Sequence, residues 1–183
     1  MSTCQSDSMQ MEIIEQCKAG VRTAQFELYR QYSKGMYNVC LRMLRHPMDA
    51  EDVLQAAFTE VFSKMDTFRG ESTIGAWIKR IVVNHCINFL KKKRLVWEEV
   101  DDRVLIRPME EEEPIDHSKH IERINHAVMQ LPDGYRIIFS LYLLEGYDHE
   151  EIASILNISE STSKSQYSRA KARLRSILNQ KMK

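Results

Sequence analysis

Apolar residues recur every three or four positions along most of this chain, with polar residues between them, and this spacing is the period of an α-helix. The pattern covers residues 24–44, 49–65, 73–93, 119–131, 135–144, 149–156 and 161–180. Only six glycines and four prolines occur among 183 residues, which argues against a turn-rich β protein. With 43% hydrophobic residues the chain can bury a core, so the sequence predicts an all-α fold.

One segment interrupts the helical pattern. Residues 98–118 contain nine acidic residues against two basic ones, with four consecutive glutamates at 110–113 and prolines at 108 and 114. Repelling charges and prolines favour an extended chain, which predicts a flexible acidic linker between two small helical modules. The expected divisions are an N-terminal tail with the start of a first helix at 1–20, a helical module at 21–95, the linker at 96–118 and a second module at 119–183.

Charge is distributed unevenly, although the formal net charge of the chain is zero. Residues 1–97 contain 14 basic and 10 acidic residues, and residues 119–183 contain 10 basic and 7 acidic ones. Two mildly basic modules therefore flank the acidic segment, and this asymmetry bears on binding partners rather than on the fold. A linker that is simply solvated remains an alternative explanation for the acidic run.

Several function classes lack their usual sequence signals. No stretch of about 20 apolar residues could span a membrane, and the N-terminus lacks the features of a secretory signal. The four cysteines, at positions 4, 17, 40 and 86, do not fit zinc spacings and suit a reducing cytoplasm. No nucleotide-binding, metalloprotease or hydrolase motif occurs. We therefore expect a cytoplasmic protein that is not an enzyme, has no catalytic residue, metal or cofactor, and does not insert into membranes.

Residues 148–180 have the pattern of a helix-turn-helix. Asp148 and Glu151 have the spacing of an N-terminal capping pair, and Asn157 tolerates the left-handed conformation of a tight turn. In this motif the start of the second helix enters the major groove of DNA. Its candidate base and phosphate contacts are Ser161, Thr162, Lys164, Ser165, Gln166, Arg169, Lys171 and Arg173. A helical hairpin with a basic, solvent-exposed face remains the alternative.

A second candidate site combines aromatic and basic residues between positions 66 and 93. Such groups suit unstacked, single-stranded bases. The candidates are Phe68, Arg69, Ser72, Trp77, Lys79, Arg80, Asn84 and Asn88. Ser72 is also a candidate cap for the helix at 73–93. Two alternatives remain open: Trp77 is a core residue, and the basic run at 91–94 is a solubilising helix end.

The helix at 49–65 has polar residues beside a wide apolar stripe. Core packing with a solvated polar face explains this pattern, and a protein-docking face is the other explanation. Periodicity alone does not separate the two.

Two segments carry a resemblance to a known family. Residues 49–94 read DAEDVLQAAFTEVFSKMDTFRGESTIGAWIKRIVVNHCINFLKKKR, and residues 131–175 read LPDGYRIIFSLYLLEGYDHEEIASILNISESTSKSQYSRAKARLR. Together they resemble bacterial RNA polymerase sigma factors of the extracytoplasmic-function (ECF) group. The resemblance implies that the first module binds core polymerase and melts and reads the promoter −10 element. It implies that the second module reads the −35 element.

The resemblance also implies partners and a docking site. The implied partners are core RNA polymerase, promoter DNA (duplex at −35 and melted at −10) and an inhibitory anti-sigma factor. The implied polymerase-docking residues are Asp52, Val53, Leu54, Gln55, Phe58, Val61, Phe62 and Met65. The linker would thread through the polymerase, where its carboxylates could occupy a basic channel. Two rivals are a regulator that uses only the C-terminal motif, and an enzyme, for which no catalytic set is visible.

Three residues depart from the family pattern. Ser163 stands where Val is common, which predicts looser packing of the recognition helix. Gln166 stands where Arg is common, which predicts a different base or phosphate contact. Asn157 replaces the usual glycine of the turn. These departures leave the promoter sequence open, not the function.

Overall fold

The computed structural model describes residues 2–92 and 117–180, and every regular element within these ranges is helical. The chain divides into two compact units, an N-terminal unit at residues 1–93 and a C-terminal unit at residues 94–183. The predicted all-α fold is therefore confirmed. Nearly all of the predicted acidic linker at 96–118, including the glutamates at 110–113, lies outside the described residues.

The N-terminal unit consists of four α-helices and a short 3₁₀ turn. These are α1 (Ser2–Lys18), α2 (Arg22–Leu44), α3 (Pro47–Ser63), the turn Met65–Thr67 and α4 (Ile74–Lys92). Helices α2, α3 and α4 pack against one another, and α1 packs on α2. Pro47 suits the first position of α3, because its fixed φ is helical and its missing N–H would have no helical partner there.

The core of this unit comes from the apolar side chains that its helices turn inward. Its fully buried side chains include Leu28, Met43, Ala57, Val61, Ile78, Val82 and Cys86. Helix α1 occupies most of residues 1–20, where a tail with the start of a first helix was expected, and it contributes Ile14 and Cys17 to the buried set. The burial of these two side chains ties α1 to the unit, since each removes apolar surface from water.

Two details of the N-terminal unit fix helix α4. The expected cap Ser72 is not the residue that caps it: the Thr73 side-chain oxygen accepts the Ala76 backbone N–H at 3.2 Å. Farther along, His85 Nε2 lies 2.6 Å from the Glu60 carboxylate of α3, which also bonds Lys64 at 2.7 Å. The hydrogen bonds from Lys64 and then His85 lower the pKa of Glu60.

The C-terminal unit is built around one long helix. Its elements are α5 (His117–Met129), α6 (Asp133–Phe139), a π-helical segment (Ser140–Leu144), α7 (His149–Leu156) and α8 (Glu160–Gln180). Helix α8 packs against α5, α6 and α7. Its own buried apolar side chains include Ala170, Leu174 and Ile177, and the buried side chains of the other elements include Val128, Leu131, Tyr135, Phe139, Ile152 and Leu156.

The turn that joins α7 to α8 has the predicted geometry. Asp148 and Glu151 form a capping box at the start of α7, and Asn157 ends that helix in the left-handed conformation with φ 55°. Helix α8 begins at Glu160, one residue before the predicted start, because the Ser159 hydroxyl accepts the Thr162 backbone N–H at 3.0 Å.

Candidate nucleic-acid and polymerase interfaces

The first turns of α8 present a cluster of hydroxyl groups. Ser159 Oγ lies 2.8 Å from both Ser161 Oγ and Thr162 Oγ1. Ser161 is exposed and Thr162 is half-buried. Two predicted contact residues are therefore held to the helix cap by Ser159, a residue that the sequence analysis did not single out. Its position directly before the helix was the signal that could have found it.

The cationic residues of α8 differ in their surroundings. Lys164 Nζ lies 2.6 Å from Glu160 Oε1, and this hydrogen bond raises the pKa of Lys164. Lys171 places its ammonium 4.6 Å from the centre of the Tyr167 ring and is otherwise exposed, as is Arg169, whereas Arg173 is half-buried. Glu160 is a second residue that the sequence analysis missed.

Ser165 and Gln166 lie side by side in sequence and in different environments. Ser165 is exposed, and its hydroxyl donates to the Thr162 carbonyl at 3.0 Å. Gln166 is half-buried beside the inward stripe of α8, and its Oε1 is enclosed with no hydrogen-bond partner among the described residues. The structure therefore brings Ser161, Lys164, Ser165, Arg169 and Lys171 onto exposed surface and places Gln166 at its inner edge.

Ser163 packs differently from the prediction made for it. The sequence predicts looser packing here, but this side chain is fully buried and its Oγ lies 2.8 Å from His149 Nδ1 at the start of α7. The His149 ring stacks on Tyr142 at a centroid distance of 4.3 Å. A serine at an inward-facing helix position was a sequence signal that a polar partner would be needed, because a buried hydroxyl without one is costly.

Lowering the pH is expected to destabilise the C-terminal unit through His149. Burial, and next the charge of Lys164, lower the pKa of His149 below its ordinary 6.5. The folded state therefore prefers the neutral ring, so the stabilisation is complete above pH 6.5 and is lost as the pH falls through the lowered pKa. Urea unfolding of the full chain and of His149→Gln, measured at pH 7.5 to about 5, should show the two curves converging at low pH. A constant difference would contradict this.

The aromatic and polar candidates of the N-terminal unit form two adjoining groups. Phe68 and Trp77 are both half-buried, and their ring centres lie 5.5 Å apart at the N-terminal end of α4. Arg80, Asn84 and Asn88 follow at four-residue intervals and are exposed, so they form one stripe along α4. Lys79 is half-buried, and Arg69 and Ser72 are exposed in the loop before the helix.

The predicted docking helix turns most of its predicted residues inward. Val53, Leu54, Phe58, Val61 and Met65 are buried in the core of the N-terminal unit, Phe62 is half-buried, and Asp52 and Gln55 are exposed. The buried members therefore support the helix from inside, and the surface that a partner could touch is narrower than the predicted set.

An open groove of about 430 Å³ lies beside this helix. It is lined by Leu54 and Gln55 together with Tyr29, Ser33, Lys34, Tyr37 and Glu51. The sequence analysis missed the groove residues contributed by α2. Their spacing was the available signal, because positions 29, 33 and 37 share one face of a helix.

Comparisons with known proteins agree with this arrangement. Residues 28–96 match the model for sigma-70 region 2, and residues 121–174 match the model for sigma-70 region 4. The chain is 28% identical to the ECF sigma factor SigM of Mycobacterium tuberculosis over 171 residues, covering 91% of this chain and 83% of the relative. It is also 28% identical to SigW of Bacillus subtilis, over 90% of this chain and 94% of the relative. The chain belongs to the ECF group of sigma-70 factors.

A solved structure supports the fold. The sigma factor RpoE from Bartonella quintana, determined with the anti-sigma factor NepR, aligns with a TM-score of 0.53 at 22% identity, covering 84% of this chain and 95% of that one. The family models and the ECF relatives confirm the predicted function: this sigma factor is a promoter-directing transcription initiation factor that acts with RNA polymerase. Among the helices in the described ranges, none has the length and apolar character needed to cross a membrane.

Proposed function

We propose that this sigma factor reads the −35 element with helix α8, and that the N-terminal unit both docks on core polymerase and contacts the melted −10 element. The exposed row of hydroxyl and cationic side chains on α8 carries the proposal. It begins one turn after the capped helix α7, which is where a helix-turn-helix places its base contacts. Ser161 and Ser165 suit base edges, and Arg169 and Lys171 suit phosphates.

The groove between α2 and α3 is the proposed docking site for polymerase. Tyr29, Tyr37 and Leu54 supply apolar surface there, and Lys34 and Glu51 supply charges of both signs at its rim. Tyrosine combines contact area with a polar tip, which suits a partner helix that carries both apolar and charged residues. Asp52 and Gln55 extend the same exposed face.

Residues 1–97 and residues 119–183 are only modestly basic, which indicates that polymerase must supply part of the binding energy. Separating DNA strands costs about 1–2 kcal/mol per base-pair step. Capturing one unstacked base on an aromatic residue recovers about 1–3 kcal/mol. A single Phe68–Trp77 pair therefore does not open several base pairs, and we expect the isolated protein to bind duplex promoter DNA poorly.

Two further parts of the proposal concern regulation and location. An anti-sigma factor is the expected inhibitory partner, in line with the solved complex of the relative RpoE with NepR. Such a partner would cover the exposed faces that polymerase and DNA also use. We place this sigma factor in the cytoplasm, where core polymerase acts.

The acidic run at 110–113 lies outside the described residues, and we expect its neutralisation to alter promoter escape or polymerase affinity.

Run-off transcription tests the proposal as a whole. Core polymerase, genomic fragments and this sigma factor should yield discrete transcripts whose start sites map to promoters sharing two spaced elements. The same reaction without the sigma factor is the control. Failure to bind core polymerase in a pull-down, or transcript start sites unaffected by the protein, would refute it. Tight, sequence-specific duplex binding by the chain alone would instead favour an ordinary DNA-binding regulator.

Replacing Glu160 with glutamine is expected to strengthen holoenzyme binding to a promoter that carries the −35 element. Glu160 holds Lys164 at 2.6 Å, so its removal releases that ammonium for a phosphate. The expected gain is about twofold, because an exposed i,i+4 ion pair is weak. The slope of log affinity against log salt should steepen by about 0.9 for one added phosphate contact. Glu27→Gln, which breaks an exposed pair with Arg30 in the other unit, is the control. An unchanged salt slope would count against the role of Lys164.

A further inference from the structure

A polar pair crosses the apolar seam between the two helices of the helix-turn-helix. Ser163 is fully buried on α8, and its Oγ lies 2.8 Å from His149 Nδ1 on α7. The other buried positions of α8 in the described residues are apolar: Ala170, Leu174 and Ile177. Apolar contacts hold two helices together but tolerate small shifts, whereas a hydrogen bond in a buried seam fixes distance and direction.

Aromatic rings hold His149 from two sides. Tyr142 of the π-helical segment stacks on it with the ring planes 15° apart, and Tyr167 of α8 lies 5.7 Å away and edge-on. The two tyrosine rings also touch each other, at 4.5 Å between centres. Three elements therefore meet at one imidazole, and its ring nitrogen is aimed at Ser163.

The backbone on both sides of the pair is also fixed. His149 is the first residue of α7 and follows Asp148, whose capping box with Glu151 closes through hydrogen bonds of 2.7 and 2.9 Å. Ser163 lies between Thr162 and Lys164, both candidate DNA contacts. A small rotation of α8 about its axis would move these two side chains, and base contacts depend on placement within about 0.5 Å.

We propose that His149 is a positioning residue for −35 recognition. Through its hydrogen bond with Ser163 it sets the position and rotation of α8 relative to α7, and therefore the placement of Thr162 and Lys164 against DNA. The inference rests on the proposed role of α8 as the −35 reader. His149 itself is half-buried at the start of α7, and in this proposal it acts through Ser163 rather than by touching DNA.

The charges around the imidazole give the pair a pH dependence. Asp148 and Glu160 favour the protonated ring, whereas burial, Lys164 and Lys171 disfavour it, and burial is the largest effect. The aromatic rings of Tyr142 and Tyr167 also pack against the imidazole. A protonated His149 would place a second cation near Lys164 and weaken the contact between α7 and α8. Recognition of the −35 element should therefore decline in acid.

Transcription by reconstituted holoenzyme tests the inference. The templates are a promoter fragment mapped by the run-off experiment and the same fragment with its −35 element replaced, and the ratio of their transcripts measures −35 dependence. His149→Phe and Ser163→Ala should each lower this ratio by about three- to tenfold, the value of one buried hydrogen bond. The double variant His149→Phe with Ser163→Val should recover most of it, because an apolar pair leaves no polar group unsatisfied.

Three readouts separate the possible outcomes. If the pair only stabilised the fold, each variant would lower transcription from both templates equally, and an unchanged ratio would overturn the inference. The ratio of the native protein should fall as the pH drops through the lowered pKa of His149, while that of the double variant should stay flat; parallel profiles would also overturn the inference. Ser176→Ala, near the end of α8, should match the native protein.

A direct-contact variant distinguishes this inference from the proposed function. Arg169→Ala should lower the ratio of transcripts from the native template to those from the template with a replaced −35 element, if α8 reads that element. If Arg169→Ala leaves the ratio unchanged, the proposed role of α8 fails and the positioning inference fails with it. If Arg169→Ala lowers the ratio while His149→Phe and Ser163→Ala do not, the positioning inference alone is wrong.

Discussion

Replacing Trp77 with alanine is expected to slow promoter opening by about tenfold to a hundredfold, because aromatic stacking of an unpaired base contributes about 1–3 kcal/mol. Trp77 is half-buried at the start of α4, and its ring packs against Phe68 at a centroid distance of 5.5 Å. An aromatic platform of this kind, next to the exposed stripe of Arg80, Asn84 and Asn88, suits bases that have left the duplex. The measurement is the rate of open-complex formation by holoenzyme on duplex promoter DNA.

A pre-opened template separates base capture from loss of structure. On DNA with a mismatched bubble at the −10 position, most of the melting cost is absent, so the defect of Trp77→Ala should shrink to a few-fold. Trp77→Phe keeps an aromatic ring against Phe68 and should retain most of the opening rate. Phe26→Ala, which removes a 66% exposed ring elsewhere in the same unit, should have no effect. Equal defects on duplex and bubble templates would refute the base-capture role.

Replacing Arg136 with alanine is expected to destabilise the C-terminal unit by about 3 kcal/mol, through lost packing and lost hydrogen bonds. Arg136 is only 1% exposed although it is charged. Its guanidinium donates to the Asp133 carboxylate at 2.7 Å and to the Leu131 carbonyl at 3.3 Å. It therefore connects α6, which packs against α8, to the loop that precedes α6.

Hydrogen exchange of the full chain locates this effect. Amides of α6 and α8 should exchange about a hundredfold faster in Arg136→Ala, since each 1.4 kcal/mol is a factor of ten, while amides of α2 to α4 should be unchanged. Arg30→Ala is the matched control, because Arg30 also pairs with a carboxylate three residues away but is 68% exposed. That control should lose less than about 1 kcal/mol. Equal destabilisation by the two variants would contradict the role of burial.

Local signals predicted the helices of both units closely. The apolar stripes, the Asp148–Glu151 capping pair and the left-handed Asn157 act within one or two helical turns, so neighbouring residues contain the information. The largest error lies at the N-terminus, where α1 spans Ser2–Lys18 although a tail with only the start of a helix was expected. The other two errors are of one residue each: the cap of α4 is Thr73 rather than Ser72, and α8 starts at Glu160.

Residue type pointed to candidate contacts but not to their orientation. Part of the candidate set lies on exposed surface of α8 and α4, and its DNA-binding role stays a prediction. Most of the predicted docking residues of α3 face inward, and the surface beside them is a groove that α2 helps to line. Motif matching selects whole segments, whereas a partner can touch only the outward face of each helix.

The sequence by itself determined that this is a helical protein of two modules with a helix-turn-helix, because helical period, caps and turn residues are properties of neighbouring residues. The prediction of a sigma factor came from the resemblance of residues 49–94 and 131–175 to that family. Only the tertiary structure decided what the unusual Ser163 does. Its partner His149 lies 14 residues earlier, and the two meet because α7 and α8 cross at the Asn157 turn. Burial makes that contact consequential, since a hydroxyl enclosed between helices must find a partner inside the protein rather than in water.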